Sequence, residues 1–194
     1  MKVLFCASEC VPFVKTGGLA DVAGALPIAL AKEGHDVRVI LPNYRVIDPY
    51  WKERMEPVCS FDVLFGWETL YCGIKRVQDN GVTYYFVDNE SHFGVTEIYG
   101  DGITEGLRFA FFCRAVLESL PQIGFLPDVL HINDWQTGLI AALLDQAIAA
   151  LERDPTAQPE LFTALEDRAN VFESTDHEGL RPGFIARLRQ LART

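Results

Sequence analysis

Lys15-Thr16-Gly17-Gly18 places one ammonium and two side-chain-free residues between an apolar run, Val3-Leu4-Phe5-Cys6, and an amphipathic stretch beginning at Leu19. A strand, a glycine turn and then a helix would aim unpaired backbone N–H groups and the positive end of a helix dipole at one point. Lys15 would add a full charge there. Glycine also lets the backbone approach a ligand and adopt conformations closed to other residues. The stretch is neither a Walker A sequence nor G-x-G-x-x-G, so the chemistry of those motifs does not carry over. From the residues alone it is equally a phosphate cradle or a tight turn with a solvated lysine.

A second group is Asn133-Asp134-Trp135-Gln136, after the short apolar segment of residues 128–133. A carboxylate beside an aromatic face suits a sugar, which offers hydroxyl edges and apolar C–H faces. The alternative is an Asp that caps a helix and a Trp packed in the core. Asp21 is similarly two-sided. It either complements the dipole of its own helix or accepts hydrogen bonds from ligand hydroxyls. Taken alone, the packing and capping readings are preferred. His131 reads as a hydrogen-bonded core histidine, and Cys10, Phe93 and Tyr99 are equally consistent with packing.

The elements that must position these groups follow from periodicity. Residues 2–7 predict a buried strand, 19–33 a helix with apolar positions at helical spacing, and 36–42 a second strand. Together they form a βαβ unit with parallel strands. Residues 43–57 have no evident form. Residues 58–65, 68–77 and 82–87 read as strands. Gln78-Asp79-Asn80-Gly81 is a hairpin turn, so an antiparallel excursion is expected within the α/β fold. Residues 88–105 predict a long loop, 105–120 a helix that Pro121 ends, and 139–153 a further helix after a turn at 134–138. Ligands of open α/β sheets bind beyond the carboxyl ends of parallel strands. Those are the positions of Lys15 and Asp134. After residue 154 helical patches are expected at 159–172 and 183–192, with no strand.

Composition sets the class. The 194 residues are 49% hydrophobic and 23% charged, as in a folded domain and unlike a disordered chain. The net charge of -10 and the lack of a basic run argue against nucleic acid. Five cysteines without a C-x-x-C, and four scattered histidines, predict free thiols and no metal site. Lys2 before a short apolar stretch is too little for a signal peptide or a membrane span, so a cytoplasmic location is expected.

Taken together, these residues resemble a known family. Ala7-Ser8-Glu9, Pro12-Phe13, Lys15 through Val22 and Gly24-Ala25-Leu26-Pro27 look like the N-terminal signature of bacterial glycogen synthases and plant starch synthases. The likeness continues in Asp36-Val37-Arg38-Val39, Tyr85-Phe86-Val87-Asp88-Asn89, Tyr99-Gly100 and Arg108-Phe109-Ala110-Phe111-Phe112. It ends with Pro127 through His131, Asp134-Trp135 and Thr137-Gly138-Leu139. Residues 1–144 are covered.

The resemblance implies the N-terminal Rossmann-like half of a two-domain GT-B glycosyltransferase: a parallel sheet with helices on both faces and an antiparallel hairpin excursion. It implies transfer of glucose from ADP-glucose to the non-reducing end of an α-1,4-glucan such as glycogen, with retention and no metal or other cofactor. It assigns Lys15, Gly17 and Gly18 to the donor phosphates, and Asp21, Asn133, Asp134 and Trp135 to the cleft for donor sugar and acceptor. Leu107 stands where a glutamate is usual, and Asn133 where a histidine is frequent. The next family strand, with its His-Asn pair, and the second domain are not found. Residues 145–194 are therefore expected to be a mostly helical tail unlike the family, and the chain a truncated synthase with no complete catalytic set, inactive alone. The alternatives are a non-catalytic glucan-binding module, or half of a split synthase paired with a separately encoded C-terminal half. No membrane or nucleic-acid partner is expected.

Overall fold

The structure, a computed structural model, describes residues 1–100, 102–153 and 170–173. Strand β1 (Lys2–Cys6) and strand β2 (Asp36–Pro42) pair in parallel, joined by helix α1 (Gly18–Lys32). This is the expected βαβ unit. α1 continues through the buried Pro27, which lacks the N–H that would bond the Ala23 carbonyl. Gly24 is needed for another reason. A Cβ there would lie 2.3 Å from Val11 Cγ2 and 2.8 Å from the Val11 carbonyl oxygen. The loop after β1 is thus pressed against α1, and Val11 N–H donates to the Ala20 carbonyl at 3.1 Å.

Beyond β2 the chain forms a one-turn helix, α2 (Pro49–Lys52), whose start the Asp48 carboxylate caps by accepting from Tyr50 N–H. Three strands follow: β3 (Glu56–Phe65), β4 (Glu68–Asp79) and β5 (Val82–Asp88). β4 and β5 are joined by the expected turn, with Asn80 and Gly81 both at positive φ, 48° and 79°. That twist matches the strands it connects. The hairpin is no detached excursion, because β5 also pairs in parallel with β2. The mixed sheet runs β3-β4-β5-β2-β1, then β6 (Val129–Ile132) and β7 (Asn170–Glu173), with β3 at one edge.

The second half crosses back over the sheet. Short helix α3 (Glu90–Phe93) and helix α4 (Ile103–Gln122) lead to strand β6 (Val129–Ile132), which lies beside β1. Pro121 lies inside the last turn of α4. Helix α5 (Trp135–Arg153) follows, and α4 and α5 pack together. Right-handed crossovers put α1 on one face and α4 with α5 on the other. The core is the sheet between them, with Leu4, Phe5, Ile40, Tyr84, Phe86, Phe111, Phe112 and Leu130 buried.

Two expectations are corrected. Residues 135–138 are not a turn but the first turn of α5, which runs on unbroken past residue 144. A strand does occur after residue 154: β7 (Asn170–Glu173) pairs in parallel with β6, from Val129 opposite Asn170 to Ile132 opposite Glu173. It replaces the end of the helix expected at 159–172. The helical patch expected at 183–192 lies outside the described residues.

Candidate functional site

Cys6 and Ile132 sit opposite one another at the carboxyl ends of β1 and β6. The loop carrying Lys15 and the turn carrying Asp134 therefore leave the sheet side by side, as the two strand ends require. The first loop is anchored before it reaches Lys15. Cys10 and Val14 exchange backbone hydrogen bonds at 3.1 and 3.0 Å around a tight turn that holds a cis Val11–Pro12 peptide. The buried Phe13 ring packs edge-on against Trp51, Tyr84 and Phe86. Burial of such a ring contributes on the order of 2 kcal/mol, which fixes the point from which Lys15 emerges.

Lys15 and Asp21 meet directly. The ammonium donates to both carboxylate oxygens, at 2.6 and 2.7 Å, and both side chains are about half exposed, 50% and 58%. An exposed pair of this kind contributes at most about 1 kcal/mol, so a ligand can exchange it at little cost.

The glycines act differently from expectation. Gly17 has φ -140° and ψ -163°, an extended conformation open to any residue. A Cβ on Gly17 would make only ordinary contact with Glu9, and one on Gly18 would point into open space. What the pair provides is bare backbone at the start of α1.

Part of that backbone is already used. Glu9 is 2% exposed, and its Oε2 accepts from Thr16 N–H at 2.6 Å, from the Thr16 hydroxyl at 2.7 Å and from Gly17 N–H at 3.3 Å. An internal carboxylate thus takes the N–H of Gly17 that was expected to face an anion. No side chain caps α1, so the N–H groups that follow Gly17 are left for other partners.

The turn after β6 is held more tightly. Asn133 is fully buried. Its amide nitrogen donates to the Cys6 carbonyl at 2.9 Å, tying the end of β6 to the end of β1. Its backbone N–H donates to the Thr137 hydroxyl at 2.6 Å, and that hydroxyl donates to the Asn133 carbonyl at 2.8 Å. The side chain therefore supports the site and does not line an open cleft. Asp134 adopts φ 63°, a left-handed conformation, and its Oδ1 accepts from Trp135 N–H at 2.6 Å. Asn and Asp tolerate this region better than other side-chain-bearing residues. Trp135 stays 53% exposed, with one edge against Phe109 at a centroid distance of 5.4 Å.

His131 stacks on Phe5 at 4.3 Å, and burial lowers its pKa below the ordinary value. It is half-buried, packed on Phe5 and 3.1 Å from the Asn133 amide, rather than a fully buried core histidine.

Tyr99 links the two arms, a role that the sequence, where it read equally as packing, did not assign to it. Its hydroxyl is 2.8 Å from the Ser8 hydroxyl, and its ring lies 6.3 Å from that of Phe109, which in turn meets Trp135 at 5.4 Å. Burial first, and then the Glu9 and Asp134 carboxylates, push its pKa up to about 12 against the lowering effect of Ser8 and Thr16. Ser8 and Tyr99 are 91 positions apart, so no local pattern links them. Glu9 had a local signal: a carboxylate just before a run of glycine N–H groups at a helix start.

A protein-family model described as the starch synthase catalytic domain matches residues 2–163. The chain belongs to this family. Glycogen synthase from Geobacillus thermodenitrificans is 54% identical over 144 residues, which is 74% of this chain and 30% of that protein. Glycogen synthase from Streptococcus pneumoniae (strain Hungary19A-6) is 49% identical over 180 residues, 93% of this chain and 37% of that protein. Among solved structures, the catalytic domain of starch synthase IV from Arabidopsis thaliana, bound to ADP and acarbose, superposes with a TM-score of 0.69 at 29% identity. That match covers 88% of this chain and 33% of that one. The chain thus spans about a third of the length of the relatives it matches. It is a member of a glycosyltransferase family with the Rossmann-like sheet that the resemblance implied. Among the described residues no cluster of three or more His, Cys, Asp or Glu has metal-binding geometry, and no helix is long and apolar enough to cross a membrane.

Proposed function

We propose that the edge formed by β1 and β6 is the donor and acceptor wall of a glucan synthase, a cytoplasmic enzyme that transfers glucose from ADP-glucose to the 4-hydroxyl at the non-reducing end of an α-1,4-glucan. The observation that carries this reading is the exposed Lys15–Asp21 pair, beside the bare Gly18 backbone and on the same edge as Asp134 and Trp135. A diphosphate takes Lys15 from Asp21, and the N–H groups at the start of α1 add donors to its oxygens. Asp21, released, is then free to accept from sugar hydroxyls. Asp134 adds a second acceptor, and the exposed Trp135 ring offers a face for the apolar side of a glucose unit. In this reading the phosphate charge is met by protein donors and needs no metal ion. The reaction breaks the bond between the glucose anomeric carbon and the ADP oxygen and forms one to the acceptor oxygen with retention, the acceptor hydroxyl's proton passing to the departing phosphate oxygen. ADP leaves carrying the negative charge that Lys15 meets.

The Arabidopsis starch synthase, bound to ADP and acarbose, supports a nucleotide and a glucan mimic as ligands of this family. The described residues supply one wall. We assign the opposing wall to the part of the relatives that this chain does not span, whether on the same polypeptide or a separately encoded one. On that basis we expect the chain to bind ADP-glucose without sustaining transfer. The test is incubation with radiolabelled ADP-glucose and glycogen, alongside equilibrium binding of the same nucleotide. Binding that Lys15→Ala weakens at least tenfold supports the reading. Absence of binding at millimolar ADP-glucose overturns it, and label in glycogen overturns the expectation of no transfer.

A further inference from the structure

Tyr99 lies between two atoms of its own backbone that are held by charged side chains of α4. The Gly100 N–H donates to Glu105 Oε2 at 2.8 Å, and Arg108 Nη2 donates to the Ile98 carbonyl at 2.6 Å. The residues immediately before and after Tyr99 are thereby fixed to one face of one helix. A Cβ on Gly100 would lie 3.2 Å from Glu105 Oε2, so glycine lets the carboxylate close on the backbone.

Glu105 and Arg108 are themselves buried, at 6% and 8% exposure, and lie 3.6 Å apart one helical turn from each other. Burying two charges is costly, and an apolar pair of similar volume often serves stability as well. At 3.6 Å the two form an ion pair but no hydrogen bond with each other. Glu105 Oε1 and Arg108 Nε have no hydrogen-bond partner among the described residues. The charges are spent on the backbone around Tyr99.

That backbone carries a side chain whose hydroxyl meets Ser8 on one arm and whose ring is linked through Phe109 to Trp135 on the other. The next residue along α4, Phe109, lies under the Trp135 ring and near that of Tyr99. We propose that Glu105 and Arg108 are positioning residues: they set Tyr99 at the height where it holds the Lys15 loop and the Asp134 turn in register for one ligand. This rests on the β1/β6 edge being the ligand site, but the positioning itself can be measured without ligand.

The experiment follows the backbone amide resonances of Thr16 and Trp135 in the full chain. Glu105→Gln and Arg108→Gln are each made in the native background and in Tyr99→Phe. The expected result is a shift of both resonances in the native background and no further shift in the Tyr99→Phe background. The same shift in both backgrounds, or none in the native one, would overturn the proposal. Should the buried substitutions prevent folding, Gly100→Ala gives a milder push on Glu105 and the same comparison applies. A second readout is ADP titration of the same proteins. Glu105→Gln is expected to weaken binding severalfold with Tyr99 present and not with Tyr99→Phe. If the native chain shows the resonance coupling but no ADP binding, the proposed function fails and the positioning stands.

Discussion

The loop after β1 and the turn after β6 leave adjacent strands at the same edge, but they are stabilised in opposite ways. The β1 loop, some ten residues long, is organised around a buried carboxylate, Glu9, and leaves Lys15 half exposed, paired with Asp21 in the first turn of α1. The β6 turn is only Asn133 and Asp134 before α5 begins. It is organised around a buried amide, and holds its half-buried carboxylate on a left-handed backbone. In the loop, support and reach are assigned to different residues several positions apart. In the turn they sit on neighbours. The loop can therefore exchange Lys15 between Asp21 and a ligand without disturbing Glu9, whereas the turn presents Asp134 and Trp135 already fixed.

Substitutions can break this contrast. Glu9→Ala strands two backbone N–H groups and one hydroxyl, and should cost about 3 kcal/mol by denaturant unfolding. A loss under 1 kcal/mol would mean the loop does not depend on its carboxylate. Asn133→Ala frees the Cys6 carbonyl at the centre of the sheet and should cost about 2 kcal/mol. An effect larger than that of Glu9→Ala would reverse the comparison. Asp134→Gly relieves a left-handed residue and should stabilise the fold by up to about 1 kcal/mol while weakening glucan binding. Unchanged binding of maltoheptaose would remove Asp134 from the site.

The pH dependence sharpens the account of β6. The pKa of His131 is lowered in the fold from an ordinary 6.5, with burial as the main cause. Below pH 6.5 the unfolded chain takes up the proton first, so stability falls as pH drops from 6.5 toward the folded value. His131→Phe should flatten part of that decline in Tm against pH. The rest is expected from His92, whose pKa burial also lowers. The smallest stability effect should be that of Lys15→Ala, within about 0.5 kcal/mol, because its ion pair is exposed.

How much of this was legible in the sequence depends on distance along the chain. The βαβ unit was readable because its strands, helix and turns are each set by nearby residues. Asn80-Gly81 announced a hairpin for the same reason. The start of α5 was misread because Trp135-Gln136-Thr137-Gly138 lacks an apolar period; the Thr137 hydroxyl bonded to the Asn133 carbonyl holds that turn in helix. Four-residue β7 carries too short a pattern to stand out, and its pairing with β6 is what makes it a strand. Lys15, Asp21, Asp134 and Trp135 were found as residue types at strand ends, but their separate assignments hid the Lys15–Asp21 pair. Glu9, Tyr99 and Arg108 stood in the family pattern without a role, and Glu105 outside it, because their roles come from tertiary contacts. The bond from Tyr99 to Ser8, with the hold of Glu105 and Arg108 on the backbone of Gly100 and Ile98, gives Tyr99 its place.

The central claim is that Lys15 leaves Asp21 for a nucleotide diphosphate at the edge of β1 and β6. The most direct measurement is an amide-resolved NMR titration of the chain with ADP, repeated on Lys15→Ala. The account predicts that the perturbed amides cluster at residues 15–21 and 134–137, and that Lys15→Ala raises the Kd at least tenfold, about 1.4 kcal/mol. Perturbations centred elsewhere, or equal affinity in Lys15→Ala, would contradict it.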